Sequence, residues 1–496
     1  MLQLVLSMFL IILLGLTFFG FLYIANILTS NRGVVERFGI PYVKPFLIFG
    51  SPPFLFHQFV VSEYFLNQYK KLGRTWGYYD GQTPTIVTAD PEFIKQVTVK
   101  QFDNFTDGIP LPPGIPDNQK TLDLASGDEW RALRKILSPT FTIGKLKGML
   151  EPMDTLADRT IEYLAKESKN KEKIDVKPFI SGFSLDTICK TAFGLDTSCY
   201  KGENNEFTKL CQSAVDEFEI GSFIDSFFVN LIAHFPNLLK YIPFWPKSAL
   251  KIGQITHDLI EERMKKNVEM SDFIGRLKEH KANLVPPVTS EMLDAQGMIF
   301  LLAGYEPTAN TLQSTVYLLA KNPEVQDQLY EEVINICESS NKINHETIKD
   351  MHLLEATIKE TLRLRPPFIR HDRVCVNDCE INGIKIPKNT RILMPIVPSH
   401  LDEEFFPEPE SFKPERFLKE NANQIMDFTW RPFGSGNRVC IGQRFAMVEI
   451  KIFLAKFVSK FKVINVKETK SEFKKGDLFL NICKDVTVSL EVRNKD

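Results

Sequence analysis

The first thirty residues, Met1 to Ser30, hold no charged side chain, and the chain as a whole holds almost no excess of either sign. Its formal net charge is -2, which excludes a globally basic surface for nucleic acid and leaves any electrostatic partner to a local patch. Cysteine is sparse as well. Eight cysteines scattered over 496 residues do not make a disulfide framework, which agrees with a reducing compartment. Cys375 and Cys379 stand in a CxxxC spacing, but no His or Cys cluster accompanies them; they read as structural thiols, not as a metal site. No repeat, low-complexity tract or long flexible linker divides the chain, which argues for one body behind the N-terminal segment. What is present in quantity is apolar: 44% of the residues are hydrophobic and forty are Phe. Most of those rings fill a core, and some are available to line a large apolar cavity.

The uncharged run of residues 1–30, rich in Leu, Ile and Phe, exceeds the roughly 20 residues that cross a bilayer as a helix. It predicts one transmembrane anchor. A cleaved signal peptide is the competing reading, disfavoured because the run has no basic n-region, is too long, and is followed by no small-residue cleavage site. Arg32, Arg37 and Lys44 follow the run against Glu36 alone, so the basic flank and the body belong on the cytosolic side. Residues 31–50, with Pro41 and Pro45, read as a stiff hinge, and residues 51–496 as the catalytic domain.

Within that domain the expected fold is mainly α with small β-sheets. Spaced apolar residues predict helices near 150–168, 204–219, 248–282, 290–321 and 352–364. Strand-like alternation from Trp76 to Thr88 around Asp80-Gly81, and again around Asn382-Gly383, predicts two hairpins.

The most informative segment is Arg431-Pro-Phe-Gly-Ser-Gly-Asn-Arg-Val-Cys-Ile-Gly-Gln-Arg-Phe-Ala446, a Gly-rich loop that delivers Cys440 to the start of a helix. Backbone N–H groups and the positive end of the helix dipole favour a thiolate there. Gly434, Gly436 and Gly442 allow unusual backbone angles and close approach to a flat cofactor. Phe433 is placed to shield the sulfur, and Arg438 to pair with an anionic carboxylate. An isolated cysteine after a glycine turn is ordinarily just a buried thiol; the company of these residues argues against that here.

Phe433, Gly436, Arg438, Cys440 and Gly442 together resemble the haem-binding signature of the cytochrome P450 superfamily. Glu360-Thr-Leu-Arg363 resembles that family's Glu-x-x-Arg pair, and Pro414-Glu-Arg-Phe417 the segment whose arginine, here Arg416, joins it. Trp130-Arg-Ala-Leu-Arg134 is similar to the helix whose two polar side chains reach the haem propionates. Arg373 falls where the animal family-three enzymes carry another such arginine. The resemblance runs from the anchor to the C-terminus and is nearest the animal clan of vertebrate family-three drug-metabolising enzymes and thromboxane synthase, as in Ala303-Gly-Tyr-Glu306. It implies a P450 fold behind one transmembrane helix and haem b as cofactor. Cys440 would be the iron ligand, with Trp130, Arg134, Arg373, Phe433, Arg438 and Gly442 around the haem and Glu306 and Thr308 as catalytic residues. The implied activity is NADPH-driven insertion of one oxygen atom from O2 into a lipophilic small molecule such as a xenobiotic, steroid or fatty acid. The implied partners are NADPH-cytochrome P450 reductase, docking among basic residues near the Cys440 face, and cytochrome b5. The implied place is the endoplasmic reticulum membrane. The implied pocket is lined by parts of residues 101–125 and 204–240, with Phe300, Ala303, Ile369 and Leu480.

One position departs from the family. The helix starting near Thr289 and Ser290 reads Ala303-Gly-Tyr-Glu-Pro307-Thr308 at its centre, where the family has a threonine in place of Pro307. Proline has no N–H for the Ala303 carbonyl and supplies no hydroxyl, so a widened kink is expected. Three readings stay open: oxygenation with Thr308 or a water standing in for the missing hydroxyl; rearrangement of a peroxide substrate without O2 or NADPH, an isomerase or lyase; or a non-catalytic haem sensor or carrier.

Overall fold

In the computed structural model, residues 14–493 are described except 21, 24–25, 27–28, 47–49, 52–57, 82, 109–115, 202–205, 218–244, 267–272, 283, 285–286, 341–342 and 344–345. The anchor expected over residues 1–30 lies largely outside them, and among the described residues no helix is long and apolar enough to cross a membrane. Residues 31–46 pack on the body. Val35 and Phe38 are buried, and the Val43 N–H and Pro41 carbonyl bond across to Gly77 at 2.9 and 2.8 Å.

Helices dominate: α1 Val61–Leu72, α2 Pro91–Lys95, α3 Gly127–Leu137, α4 Ile143–Asn170, α5 Lys177–Phe193, α6 Glu206–Asp216, α7 Lys247–Lys265, α8 Phe273–Ala282, α9 Ser290–Lys321, α10 Pro323–Ser340, α11 His352–Leu364, α12 Val397–His400 and α13 Gln443–Lys460. The strands are β1 Thr75–Asp80, β2 Thr83–Thr88, β3 Ile174–Asp175, β4 Arg370–Val374, β5 Cys379–Ile381, β6 Ile384–Ile386, β7 Arg391–Pro395, β8 Phe461–Ile464 and β9 Thr487–Val492. They form sheets in the orders β1-β2-β7-β4, β3-β9-β8 and β5-β6. The long helix expected over 248–282 resolves into α7 and α8, flanking undescribed residues.

Local chemistry accounts for the boundaries. Thr289 caps α9 by accepting the Met292 N–H at 3.2 Å, satisfying one of the donors that every helix start leaves free. α11 ends at Leu364 because Pro366 and Pro367 cannot continue it. The β5-β6 turn places Asn382 at φ 51° and Gly383 at φ 79°, the left-handed pair that matches the twist of a two-residue hairpin. α5 and α9 are buried on nearly all sides, and each fully buried Leu or Phe along them contributes about 2 kcal/mol. α9 crosses the molecule between α5 and the C-terminal loop. The Asn310 amide bonds the Asn481 carbonyl and accepts the Cys483 N–H, the latter at 3.1 Å. Those bonds fasten that loop to the helix three residues beyond Pro307.

Candidate haem site

One cavity of about 470 Å³ lies among α3, α9, β4, the C-terminal loop and the Cys440 loop, within the range of small-molecule sites. The Cys440 loop is held from inside. The Cys440 N–H donates to the Phe433 carbonyl at 2.9 Å, and that of Val439 to Gly436 at 3.1 Å. Gly434 (φ 81°) and Gly436 (φ 66°) adopt the left-handed region; Gly442 does not, at φ -89°, so the unusual backbone angle expected of it is absent. A Cβ on Gly436 would stand 2.0 Å from the Thr98 carbonyl oxygen. Its close approach is therefore to the backbone of residues 96–100 and serves to seat the loop.

Cys440, Phe433 and Gly442 line the cavity. Desolvation counts against the Cys440 anion, while the N–H groups of Gly442 and Gln443 and the Arg134 guanidinium favour it, and a bound cation deprotonates a coordinating thiol outright.

Trp130, Arg134, Arg373 and Arg438 line the same cavity. The Arg438 guanidinium stacks on Trp130 at 4.6 Å and bonds the carbonyls of Asp123 and Ala125. Arg373 bonds the Asp372 carbonyl at 2.7 Å. Nε of Arg373 and Nε of Arg438 are buried without a partner. Burial lowers Arg373 to about 10 and Arg438 to about 9, so both remain cationic at neutral pH. Among the described residues, none of Arg134, Arg373 and Arg438 forms an ion pair with a carboxylate. Three cations without a direct ion pair around one cavity are costly and fit a ligand carrying two carboxylates. Haem fits this donor set.

Sequence reasoning missed Arg370 and His371, which also line the cavity. Alternation along β4 was the available signal, since residues 370 and 372 face one side of a strand and 371 and 373 the other. Arg370 is balanced: it pairs with Asp372 at 3.4 Å, which also accepts Arg391 at 2.9 Å. His371 lies against Gly434, and burial lowers it to about 3, so it is neutral. Ile369, expected in the pocket, instead packs among Val61, Phe65, Trp76 and Leu393 in the sheet core. Gly108, Leu122, Leu124, Ala214, Val215, Phe300, Ala303 and Leu480 do line the cavity; residues 218–240 lie outside the described ones.

α9 runs through Pro307 without interruption. Side chains bond the carbonyls around the proline: Thr308 Oγ1 donates to Gly304 at 3.2 Å, Thr311 Oγ1 to Pro307 at 2.8 Å and Ser184 Oγ to Tyr305 at 3.1 Å. These bonds fall on carbonyls neighbouring that of Ala303, the acceptor whose helical donor the proline removes. Glu306 is 2% exposed. Neither carboxyl oxygen has a hydrogen-bond partner by geometry, although the Tyr305 hydroxyl is near enough to favour the anion weakly. Burial dominates and pushes the Glu306 carboxyl up.

Behind the cavity, Glu360 and Arg363 are both fully buried in a two-pronged ion pair of 2.7 and 2.8 Å. Arg416 reaches Glu360 at 3.4 Å. Arg363 also bonds the carbonyls of His400, Pro409 and Ser411 at 2.8, 2.6 and 3.1 Å. The network anticipated from the sequence therefore exists, and it ties α11 to the loop leading into the Cys440 segment.

Comparison with known proteins agrees with this geometry. The family model for cytochrome P450 matches residues 40–488. Cytochrome P450 3A16 of Mus musculus is 33% identical over 485 residues, covering 94% of each chain. Cytochrome P450 3A29 of Sus scrofa is 32% identical over 458 residues, and lithocholate 6-beta-hydroxylase of Mesocricetus auratus 31% over 459, each covering 90% of both chains. With the match spanning nearly its whole length, the chain belongs to the cytochrome P450 family of monooxygenases, whose cofactor is haem b.

Proposed function

We propose that this P450 oxygenates a lipophilic small molecule, drawing electrons from NADPH through a membrane-bound reductase, with Cys440 as the iron ligand. The observation that carries the site assignment is the set of cations without a direct ion pair, Arg134, Arg373 and Arg438, around the cavity that Cys440 lines. Arg134, Arg373 and Arg438, with the Trp130 indole N–H, hold the two propionates, while Phe433 and Gly442 flank the sulfur. When bound, haem supplies the oxygen-activating chemistry, which a thiolate ligand favours. The protein supplies the rest. Phe141 and Phe300, stacked at 5.5 Å, give the substrate an apolar, water-poor wall. Glu306, whose carboxyl burial pushes up, stands beside the helix groove as the acid that would pass a proton. Thr308 supplies the hydroxyl nearest in sequence to the one that Pro307 lacks. An N-terminal anchor in the endoplasmic reticulum membrane, with cytochrome b5 as a second electron donor, completes the reading.

Pro307 specifically favours a second reading, rearrangement of a peroxide substrate, which consumes neither O2 nor NADPH. Both are tested with the reconstituted enzyme and reductase across a panel of lipophilic compounds. Substrate-stimulated NADPH use with an oxygenated product supports the monooxygenase; fast hydroperoxide decay without NADPH assigns the rearrangement. Cys440→Ala is expected to abolish the thiolate-haem spectrum with carbon monoxide, and an unchanged spectrum refutes the ligand assignment.

A further inference from the structure

Cys375 and Cys379 take no part in the haem site. Cys375 follows β4 and is buried, its backbone locked by the Cys375 N–H to the Thr390 carbonyl at 2.9 Å and the Asn389 N–H to the Cys375 carbonyl at 2.7 Å. Cys379 opens β5, is half-buried, and pairs in register with Ile386. Their sulfurs are 3.6 Å apart. A disulfide needs about 2 Å, so closure requires a movement of about 1.5 Å, within reach of a side-chain rotation at the mouth of a short hairpin. Cys375 Sγ also donates to the Asn377 carbonyl at 2.8 Å, which holds it at the start of the loop that brings Cys379 back.

We propose that Cys375 and Cys379 are a covalent modification site, a dithiol that hydrogen peroxide converts to an intramolecular disulfide. The half-buried Cys379 reacts first. Its sulfur attacks one peroxide oxygen, an S–O bond forms as the O–O bond breaks, the second oxygen leaves as water, and Cys379 becomes a sulfenic acid. Cys375 sulfur then attacks Cys379 sulfur; the S–S bond forms, the S–O bond breaks, and hydroxide leaves with the Cys375 proton as water. Two thiols and one peroxide become one disulfide and two waters. Burial raises both thiols, Cys375 to about 12, and the Asp378 carboxylate adds to both. The reaction is therefore slow at neutral pH and accelerates as thiolate accumulates, by roughly tenfold per pH unit. The site borders the cavity from behind: Val374 and Val376 donate to the carbonyls of Asp107 and Asn104, each at 2.9 Å, and Arg373 lies two residues before Cys375.

The test treats the full-length holoenzyme with a small molar excess of hydrogen peroxide, stops it with catalase, alkylates free thiols and maps the peptides by mass spectrometry. The expected product joins the Cys375 and Cys379 peptides through a bond that dithiothreitol reverses, and it forms roughly tenfold faster at about pH 8 than at about pH 7. In Cys375→Ser the sulfenic acid on Cys379 is expected to persist and be trapped by dimedone, while in Cys379→Ser residue 375 stays reduced. Both cysteines fully alkylated while half-buried Cys337 is oxidised would overturn the proposal, as would a sulfenic acid that persists on Cys379 of the unsubstituted chain with no joined peptide formed. The unsubstituted chain decides the matter alone if either variant fails to fold.

Discussion

Arg370 and Arg373 are chemically identical and three residues apart, and they face different electrical surroundings. Arg370 has Asp372 within 3.4 Å; among the described residues Arg373 forms no ion pair, and the neighbouring Asp372 acts on it only at longer range. Arg373→Leu is expected to speed haem loss to excess apomyoglobin by roughly tenfold to a hundredfold, the worth of a hydrogen bond to a charged group at about 1.5–3 kcal/mol. Arg370→Leu is expected to lower Tm and leave haem loss within about threefold, because its main effect is to strip a partner from Asp372; equal haem loss in both variants refutes the division. A second buried acid gives a pH signature. Glu449 is fully buried, and the Ser184 hydroxyl beside it is committed to the Tyr305 carbonyl, so burial pushes its carboxyl well up. A carboxyl raised by folding contributes stability below its unfolded value, near 4.3, and loses it as pH rises towards the folded value, by at most about 1.4 kcal/mol per pH unit. Glu449→Gln is expected to match the parent near pH 4 and to exceed it in Tm at pH 8, a gap that chemical or thermal denaturation reads directly. The sequence displays Glu449 on a helix of mixed character, and nothing local announces that its neighbours are all apolar or already bonded. Cys440 was legible for the opposite reason: its role is written in a contiguous run of loop residues.

At the scale of elements, the Cys440 loop and α9 carry the unusual backbone. Gly436→Ala places a methyl 2.0 Å from the Thr98 oxygen in a left-handed conformation, so something in the backbone must move. The expected cost is about 2–4 kcal/mol of stability, read by denaturant melts, together with a shifted carbon monoxide spectrum as the loop displaces the sulfur. Pro307→Thr restores both an N–H for the Ala303 carbonyl and a hydroxyl in the groove. Under the monooxygenase reading, the fraction of NADPH electrons appearing in product is expected to rise severalfold; under the rearrangement reading, NADPH use stays absent. The limits of α11 and of both hairpins could be read from proline stops and Asn-Gly or Asp-Gly turns, which act over two or three residues. Ile369, just before β4, could not be placed, because its backbone partners, Ile396 and Phe479, lie far along the chain. The run 248–282 concealed the end of α7 for a similar reason: charged and apolar residues keep helical spacing past Lys265.

Across the whole molecule, Glu360 is where α11 meets the segment leading to the haem loop. Glu360→Ala leaves Arg363 and Arg416 without their acid in a site with no water to replace it, at about 3–5 kcal/mol. That is a large part of the total stability of a typical protein, and the variant is expected to be recovered largely unfolded and haem-free, whereas Lys100→Ala, which breaks an exposed pair with Glu92, leaves soluble yield unchanged. Motif spacing showed that Glu360 and Arg363 share a helix face; it did not show that the face is fully buried, which follows only from what His400, Pro409 and Ser411 fold around it.

The three arginines without a direct ion pair around the cavity have a bearing beyond catalysis. A newly made chain that has not yet met its cofactor must close those positive charges on one another, so the polypeptide by itself is strained at the place where its layers meet. The anion that relieves this is delivered by a separate biosynthesis. Cellular abundance of the protein would then follow the supply of iron porphyrin more steeply than transcription, and starving cells of porphyrin precursor would deplete the polypeptide through degradation instead of leaving a pool of empty enzyme awaiting its pigment.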